Sequence, residues 1–305
     1  MPPLVIFILA FSPGIFWLWL IYTRDKYRPE PRNLVIKTFL YGAAIAIPVG
    51  LVEFILYPNL TDSTSGQPIN ISTAAYVSFI VAGVTEEIAK YAIVRYTIYK
   101  SPYFDEPMDG IIYASAAALG FASLENVGYL LSYGWEVILV RGPFSTLAHV
   151  LFSAIWGYLL GKQKFQHKTG HRLVISGLIV AIMLHGTFDF LILSQKGFEL
   201  AALILFIAGA VLFIYLINLA TKQSPYKDMV ALILVRCAAC GHKSGYFANF
   251  CNRCGAILSH ILKQTSLYCG KCGAPLAPQS HFCNSCGSHL NRKLVKVTKF
   301  PLSQE

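Results

Sequence analysis

Charged residues are scarce in this chain of 305 residues. Asp, Glu, Lys and Arg make up only 13% of the sequence, whereas hydrophobic residues make up 55% and the mean hydropathy is +0.54. So few charges could not cover the surface of a soluble domain of this size, which excludes an ordinary soluble globular protein. The sequence therefore predicts an integral membrane protein, and its length leaves room for two domains.

Cysteine is absent from the first 236 residues, and two familiar hydrolase motifs are absent from the whole chain. The apolar part therefore offers no thiol that could act as a nucleophile. Without an HExxH or a GxSxG pattern, zincin-like, site-2-protease-like and serine-hydrolase sites have no support. Lys and Arg are concentrated in a few loops and in the C-terminal region, so the net charge of +10 does not by itself indicate nucleic-acid binding.

Seven apolar runs are long enough to span a bilayer. They cover residues 3–22, 34–56, 72–99, 109–132, 143–161, 172–193 and 198–220. The first run has no basic segment before it and no small-residue cleavage site after it, which favours a helix over a signal peptide. We therefore predict an all-α polytopic membrane protein of about seven transmembrane helices, followed by a separate cysteine-rich region.

The distribution of Lys and Arg between the loops indicates the orientation. The loops at 23–32, 161–172 and 221–227 are basic, whereas residues 57–72 contain no Lys or Arg. Basic loops face the cytoplasm in most membrane proteins. The sequence therefore predicts a multi-pass protein of the cell membrane with an extracytoplasmic N-terminus and a cytoplasmic C-terminal region.

Ionisable residues interrupt the third apolar run. Its segment GVTEEIAKYAIV, residues 83–94, contains Glu86, Glu87 and Lys90. Three charged groups at the centre of a helix cost about 9 kcal/mol on insertion scales, which the apolar residues of the span offset only in part. This helix therefore needs polar partners on neighbouring helices or a water-filled cavity. Glu53 and Arg95 lie nearer the ends of their spans and are expected to reach the membrane interfaces.

Neighbouring spans carry such partners, and each partner has a structural alternative. The fourth span contains Glu125, the fifth contains His149, and the sixth contains His185 and Asp189 four residues apart on one face. Each could be structural alone: Glu86 could pair with Lys90, His149 could fill a hydrogen-bonded core position, and Asp189 could orient His185. Their joint occurrence at compatible depths, in the middle and outer half of the bilayer, favours a functional site.

Two adjacent carboxylates, a third carboxylate and two histidines suit the activation of a water molecule. Two neighbouring acids rarely both stay ionised in a low dielectric, so one could act as a general base, and the histidines could donate to a developing oxyanion. The same side chains could instead hold a divalent metal whose bound water attacks. Proton or ion transport needs similar buried acids and stays open, although no internal inverted repeat is visible in the sequence.

Four motifs, each on its own predicted helix, resemble those of the PrsW family of intramembrane proteases. In order they are EEIAK (86–90), FASLE (121–125), HVLFSAIWGYLLG (149–161) and HGTFD (185–189). The resemblance covers most of residues 1–220. It implies an endopeptidase that cleaves membrane-anchored proteins, such as anti-sigma-factor-like regulators, and the depth of the site suits cleavage near the extracytoplasmic side. The wider group also contains CAAX-prenyl endopeptidases and bacteriocin-processing enzymes.

The resemblance also implies roles for individual residues. It makes Glu86 and Glu87 the catalytic acids, with Glu125, His149 and His185 completing the site and Asp189 supporting His185, and Phe121 is expected only to pack. Both a glutamic mechanism and a catalytic divalent metal remain open. The alternative functions are a non-proteolytic ion-coupled transporter or signalling scaffold, and a related peptidase of the CAAX or bacteriocin type.

All eight cysteines fall into two repeating units in the C-terminal region. The unit Cys237-x2-Cys240-x10-Cys251-x2-Cys254 recurs 32 residues later as Cys269-x2-Cys272-x10-Cys283-x2-Cys286. Paired CxxC knuckles followed by glycine are typical of zinc ribbons, and the predicted reducing compartment disfavours disulfides. An iron site of the rubredoxin type is a minor alternative. We predict two structural Zn²⁺ sites in ribbons that contact a cytoplasmic protein partner rather than nucleic acid.

Domain boundaries follow from these patterns. We predict a transmembrane protease-like domain at 1–222, a linker at 223–236, a first ribbon at 237–255, a second linker at 256–268, a second ribbon at 269–288 and a basic tail at 289–305. The loose basic tail is expected to lie near anionic lipid.

Overall fold

A computed structural model describes residues 1–56, 70–165, 171–194 and 197–227. In the C-terminal region it describes residues 234–237, 239–245, 253–254, 256, 265–269 and 295–299. The chain divides into two compact units, Met1–Ser224 and Pro225–Glu305.

The first unit is helical. Its α-helices are α1 Pro3–Tyr22, α2 Arg32–Leu56, α3 Ile71–Tyr76, α4 Thr85–Thr97, α5 Pro107–Tyr133, α6 Val137–Val140, α7 Thr146–Phe165, α8 His171–Leu193 and α9 Glu199–Gln223. Two π-helical segments join neighbouring helices without a break: π1 Val77–Val84 between α3 and α4, and π2 Arg141–Ser145 between α6 and α7.

Six helical stretches in the described part of the chain are long and apolar enough to cross a membrane. They are α1, α2, α5, α8, α9 and the continuous run Val137–Phe165. This confirms the predicted multi-pass membrane fold. The remaining predicted span, 72–99, is helical from Ile71 to Thr97 but is not one of the six. Its ionisable residues Glu86, Glu87 and Lys90 are buried against other helices instead.

Helix α5 lies at the centre of the bundle and packs against α1, α2 and α7. Its first 17 residues, from Pro107 to Ser123, are all buried and include many Ala and Gly residues. Small residues let helix backbones approach closely in membrane proteins. A Cβ atom at Gly120 would overlap the Phe39 carbonyl of α2, and one at Gly110 would overlap the Gly157 backbone of α7. These close approaches fix α5 and α7, which carry Glu125 and His149.

The segment π1 ends directly before the pair of adjacent glutamates. It packs against α8, where a Cβ atom at Gly186 would overlap the Phe79 ring. A π-helix places more residues in each turn than an α-helix, so it changes the direction in which the following side chains point, and such segments often occur at functional sites. Here the change of register coincides with the start of α4, the helix of Glu86 and Glu87.

The described part of the C-terminal unit forms two antiparallel strand pairs. Strand β1 (Leu234–Arg236) pairs with β2 (Lys243–Gly245), and β3 (Thr265–Cys269) pairs with β4 (Val295–Lys299). Strand β3 therefore begins in the stretch 256–268 that was expected to be a linker. Strand β4 lies in the stretch expected to be a loose tail, where alternating Val and polar residues have the two-residue period of a strand.

The connection between β1 and β2 has the geometry of a metal knuckle. The Cys237 N–H donates to the His242 carbonyl at 2.9 Å, and the Gly241 N–H donates to the Cys237 carbonyl at 2.8 Å. Gly241 has a φ of 69°, a left-handed conformation that favours glycine. The glycine after the second cysteine of this CxxC pair therefore permits the tight turn that the sequence predicted.

Candidate active site

The helices bring all six predicted site residues of the membrane domain into one cluster, which we call the central site. Helix α4 supplies Glu86 and Glu87, α5 supplies Glu125, α7 supplies His149, and α8 supplies His185 and Asp189. Glu86, Glu87, His149 and His185 are buried. The side chains of Glu125 and Asp189 are 23% and 34% exposed, so these two form the open side of the central site.

Lys90 lies in the middle of this cluster. Its Nζ donates hydrogen bonds to Glu86 Oε2 at 2.8 Å and Glu87 Oε1 at 3.0 Å, and it lies 2.9 Å from His149 Nδ1. The i+3 and i+4 spacing on α4 makes both carboxylates reachable from one lysine. The Phe121 ring, expected only to pack, has its centroid 4.6 Å from the same ammonium group. Lys90 is therefore a buried cation with charge-balancing partners, which its burial requires.

Glu87 has no unused acceptor direction. Its Oε1 accepts the hydrogen bond from Lys90 and lies 3.0 Å from His185 Nδ1. Its Oε2 accepts hydrogen bonds from Ser153 Oγ at 2.7 Å and Trp156 Nε1 at 2.9 Å. The sequence analysis did not assign Ser153 and Trp156 to the site. Their positions four and seven residues after His149 place them on the same helix face, and this spacing was the available signal.

The two histidines face one another, and each has a carboxylate at both ring nitrogens. His149 Nε2 lies 2.9 Å from Glu125 Oε2, while its Nδ1 lies 3.5 Å from Glu86 Oε2. His185 Nδ1 lies 3.0 Å from Glu87 Oε1, while its Nε2 lies 3.8 Å from Glu86 Oε2 and 3.4 Å from Asp189 Oδ2. An outer carboxylate on one ring nitrogen orients a histidine so that the other nitrogen can bind a ligand.

The central site also has the donor set of a metal centre. One ligand atom each from Glu86, His149 and His185 lies within 4.8 Å of the others, and all three residues are buried. Two imidazoles and one carboxylate form the protein ligand set of several catalytic zinc sites. The outer carboxylates Glu125 and Glu87 match the second layer of hydrogen-bonding groups that such sites use. These residues therefore fit a divalent metal, at a position where the Lys90 ammonium now contacts two of the three donors.

Arg141 also contacts the central site, although the sequence analysis did not assign it there. Its Nη2 lies 3.5 Å from Glu125 Oε2, and its Nε donates to Asn126 Oδ1 at 2.9 Å. Its guanidinium also lies 3.5 Å from the centroid of the Tyr129 ring. Neither Arg141 Nη2 nor Glu125 Oε2 makes an aligned hydrogen bond within the described residues, although both atoms are buried. Arg141 is the first residue of π2, and the packing of this segment brings it to the site. No spacing in the sequence relates it to the other site residues.

Glu53, which is expected to reach the outer membrane interface, contacts the start of α4. Its Oε1 accepts a hydrogen bond from Thr85 Oγ1 at 3.0 Å. Thr85 directly precedes Glu86, so α2 also reaches the edge of the central site.

A second candidate metal centre lies in the C-terminal unit. Sulfur atoms of Cys237, Cys240 and Cys254 lie within 4.8 Å of one another, with Cys237 Sγ and Cys254 Sγ 3.5 Å apart. Thiolates brought together in this way are typical zinc ligands. The side chains of Cys251, Cys269, Cys272, Cys283 and Cys286 lie outside the part of the chain that the structure describes.

Two family models match separate parts of the chain. The model described as PrsW family intramembrane metalloprotease matches residues 30–219, and the model described as double zinc ribbon matches residues 237–287. The first match contains the whole central site, and the second contains all eight cysteines.

Relatives with the name Protease PrsW also match the chain. The protein of Geobacillus kaustophilus strain HTA426 is 34% identical over 185 residues, which cover 61% of this chain and 78% of the relative. The protein of Bacillus subtilis strain 168 is 32% identical over 187 residues, or 61% and 82% of the two chains. The protein of Clostridioides difficile strain 630 is 34% identical over 212 residues, or 66% and 85%. No solved structure matches the chain.

Proposed function

Because this chain belongs to the PrsW family of intramembrane metalloproteases and is therefore an intramembrane peptidase, we propose that it hydrolyses membrane-anchored proteins at the central site. The observation that carries this proposal is the meeting of Glu86, His149 and His185 within 4.8 Å inside a bundle of membrane helices. An ion-coupled transporter or a signalling scaffold would not need this ligand set, and family membership favours the peptidase over both.

The two adjacent glutamates have different roles in this proposal. Glu87 accepts hydrogen bonds from Lys90, Ser153 and Trp156 and contacts His185, so it is a positioning residue. Glu86 accepts a hydrogen bond only from Lys90 among the described residues, which leaves acceptor directions for a ligand. Glu86 is therefore the carboxylate of the pair at which water is activated.

The residues of the central site divide the remaining work. When bound to Glu86, His149 and His185, a divalent metal would act as a Lewis acid and would lower the pKa of a bound water molecule. Glu125 lies on the open side of the site, so it can take a proton from the attacking water and return it to the leaving nitrogen. Arg141 lies next to Glu125 with Nη2 available to donate to the developing oxyanion. Glu87 orients His185 through Nδ1, and Asp189 supports the same histidine as a carboxylate beside Nε2 on the open side.

The charges of the loops support an orientation in the membrane, and this orientation bears on where a substrate would be cut. With the basic loops in the cytoplasm, the central site faces the outer half of the bilayer. A suitable substrate is a membrane-anchored protein, such as an anti-sigma-factor-like regulator, that is cut near its extracytoplasmic end. The same orientation places the C-terminal unit in the cytoplasm.

The C-terminal unit would bind two structural Zn²⁺ ions and contact a cytoplasmic protein partner. The double zinc ribbon match implies zinc binding, and the cluster of Cys237, Cys240 and Cys254 supports the first site. The repeated spacing supports a second, equivalent site. We place the boundary of the transmembrane domain near residue 222, close to the division between the two compact units after Ser224.

Reconstitution tests this function. Purified full-length protein in liposomes is expected to cleave a single-span substrate that carries a different tag at each end, and mass spectrometry of both fragments locates the cut. The expected cut lies in the outer half of the substrate span. The outer side is the side that exposes the N-terminus of the reconstituted enzyme, which digestion of an N-terminal tag by a soluble protease outside oriented vesicles identifies. Cleavage in the cytoplasmic half would overturn the proposed depth, and the absence of cleavage for a panel of single-span substrates would overturn the substrate class.

Ser153→Ala is expected to reduce catalysis without abolishing it. The substitution removes one of the two donors to Glu87 Oε2 but leaves Trp156 Nε1 in place. We expect the free energy of unfolding to fall by about 1.5–3 kcal/mol, which is typical for the loss of a hydrogen bond to a charged group. We also expect cleavage to slow about tenfold, an effect of about 1.4 kcal/mol on the activation barrier, because the carboxylate that orients His185 becomes less fixed. Denaturant titration in detergent and the cleavage rate measure the two effects.

Ser176→Ala is the matched control for this substitution. Ser176 is an exposed residue of α8 whose hydroxyl donates only to the Leu173 carbonyl within the described residues. It should leave both quantities unchanged. Equal rates for the two variants would contradict the role of Ser153 in holding Glu87.

A further inference from the structure

A second group of buried carboxylates lies at the other end of α5, and we call it the acidic cluster. It consists of Asp25, in the connection after α1, with Glu106 and Asp109 at the N-terminus of α5. Asp109 precedes Glu125 by 16 residues on the same helix, which corresponds to about 24 Å along the axis. The acidic cluster is therefore separate from the central site, and the proposed peptidase chemistry does not use it.

One oxygen of each carboxylate is fixed by the backbone. Asp25 Oδ2 accepts the Glu30 N–H at 3.2 Å. Asp109 Oδ2 accepts the N–H groups of Asp105 at 2.5 Å and Glu106 at 2.7 Å. The Glu106 side chain accepts the Asp109 N–H in return, which completes a capping box at the start of α5. These bonds hold all three carboxylates in defined orientations.

Each of the three carboxylates also has one buried oxygen that the described part of the chain leaves without a hydrogen-bond donor. Asp25 Oδ1, Glu106 Oε2 and Asp109 Oδ1 are buried and make no hydrogen bond within the described part of the chain. The three residues are 4%, 1% and 0% exposed, so water does not solvate these oxygens freely. Ligand oxygens of the three carboxylates lie within 4.8 Å of one another. Three oxygens on one side of a cation, each about 2.0–2.6 Å from it as for Mg²⁺ and Ca²⁺, lie within this limit of one another.

No basic side chain in the described residues neutralises the cluster by direct contact. Arg28 forms its ion pair with Asp105, and Lys164 donates to two backbone carbonyl groups. None of the ion pairs within the described residues includes Asp25, Glu106 or Asp109. Glu30, on the adjacent connection, adds a fourth buried carboxylate that accepts a hydrogen bond from Tyr113. Buried carboxylates without a cation are costly.

We propose that Asp25, Glu106 and Asp109 bind a hard divalent cation, such as Mg²⁺, Mn²⁺ or Ca²⁺. A ligand set made only of carboxylate oxygens favours these ions over zinc, which the histidines and cysteines elsewhere in the chain suit better. The cation joins the end of α1 to the start of α5, the helix around which α1, α2 and α7 pack. Its function is to hold this end of the bundle together. The proposal does not depend on the peptidase activity.

The test uses full-length protein in detergent with Mn²⁺ as a paramagnetic probe. The His149→Ala, His185→Ala double variant serves as the reference protein, because it lacks the histidine donors of the central site. After chelation and desalting, we expect this protein to bind Mn²⁺ in electron paramagnetic resonance titrations and to unfold at a higher temperature when MgCl₂ or CaCl₂ is present. Asp25→Asn and Asp109→Asn in the same background should each weaken Mn²⁺ binding at least tenfold and remove the thermal shift.

The chosen substitutions keep the backbone contacts of the cluster. An asparagine carbonyl can still accept the backbone N–H, while its NH₂ group replaces the ligating oxygen. Glu136→Gln is the matched control, because Glu136 is an exposed carboxylate outside the acidic cluster, and it should leave Mn²⁺ binding unchanged. If Asp109→Asn does not fold, Asp25→Asn alone decides the result. The proposal is overturned if the reference protein binds no Mn²⁺, if Asp25→Asn binds it equally well, or if divalent cations never change the unfolding temperature, which would indicate shared protons instead.

Discussion

Glu86→Gln is expected to reduce cleavage by about a thousandfold or more while leaving the protein folded, within the range seen when a group needed for proton transfer is removed. An amide binds a divalent metal poorly and cannot accept a proton from water, so the substitution removes both ways in which Glu86 can activate water. The fold should survive because the buried Lys90 ammonium keeps its second partner, Glu87, at 3.0 Å. Cleavage of a single-span substrate in liposomes and thermal unfolding in detergent measure the two properties.

Glu87→Gln should behave differently and so separates chemistry from folding. Both oxygens of Glu87 are surrounded: Oε1 by Lys90 and His185, and Oε2 by the donors of Ser153 and Trp156. In glutamine an NH₂ group would replace one of these oxygens and would face groups that donate hydrogen bonds themselves. We therefore expect Glu87→Gln to lower the unfolding temperature as well as the rate.

Glu136→Gln provides the matched control for both glutamate variants. Glu136 is an exposed residue between α5 and α6, so this substitution should change neither stability nor rate. Undiminished cleavage by Glu86→Gln would remove Glu86 from the chemistry. Equal stability of the Glu86 and Glu87 variants would contradict the positioning role of Glu87.

Removal of metal is expected to abolish cleavage, and Zn²⁺ added back is expected to restore it. The donor atoms of Glu86, His149 and His185 lie close enough to share one ion, and the matching family is described as metalloproteases. Prolonged treatment with a strong chelator, followed by desalting, should lower the cleavage rate to the level of Glu86→Gln. The liposome assay before and after the addition of Zn²⁺ measures this.

The C-terminal cysteines bind metal in our proposal too, so the test needs a measurement that separates the sites. The His149→Ala, His185→Ala double variant should contain about one equivalent of metal less than wild type, because two of three ligands are missing. A Cys237→Ser, Cys240→Ser variant should lose the zinc ion of the first ribbon but keep cleavage activity. Activity that survives exhaustive chelation, together with an inactive Glu86→Gln variant, would overturn the metal and assign Glu86 as a metal-independent base.

The sequence by itself determined the membrane class and the helical fold, and it predicted the six residues that the structure brings together in the central site. Glu86 and Glu87 stand in an apolar run, where uncompensated charge is so costly that partners on other helices were required. His185 and Asp189 share a helix face through their i, i+4 spacing, which periodicity alone reveals. The CxxC pairs likewise indicate metal binding at short range. In each case the prediction rested either on the high free-energy cost of a charge in the membrane or on a short spacing between residues.

Only the tertiary structure decided which partners these groups have. It distinguished Glu86 from Glu87, because the donors that occupy Glu87 come from Ser153 and Trp156 on another helix. It also brought Arg141 to Glu125 and placed Asp25 beside Glu106, 81 positions later in the chain. Contacts of this kind depend on helix packing angles and on the π-helical changes of register. Neither leaves a periodic signal in the sequence, so the partners of a buried carboxylate become visible only once the helices are assembled.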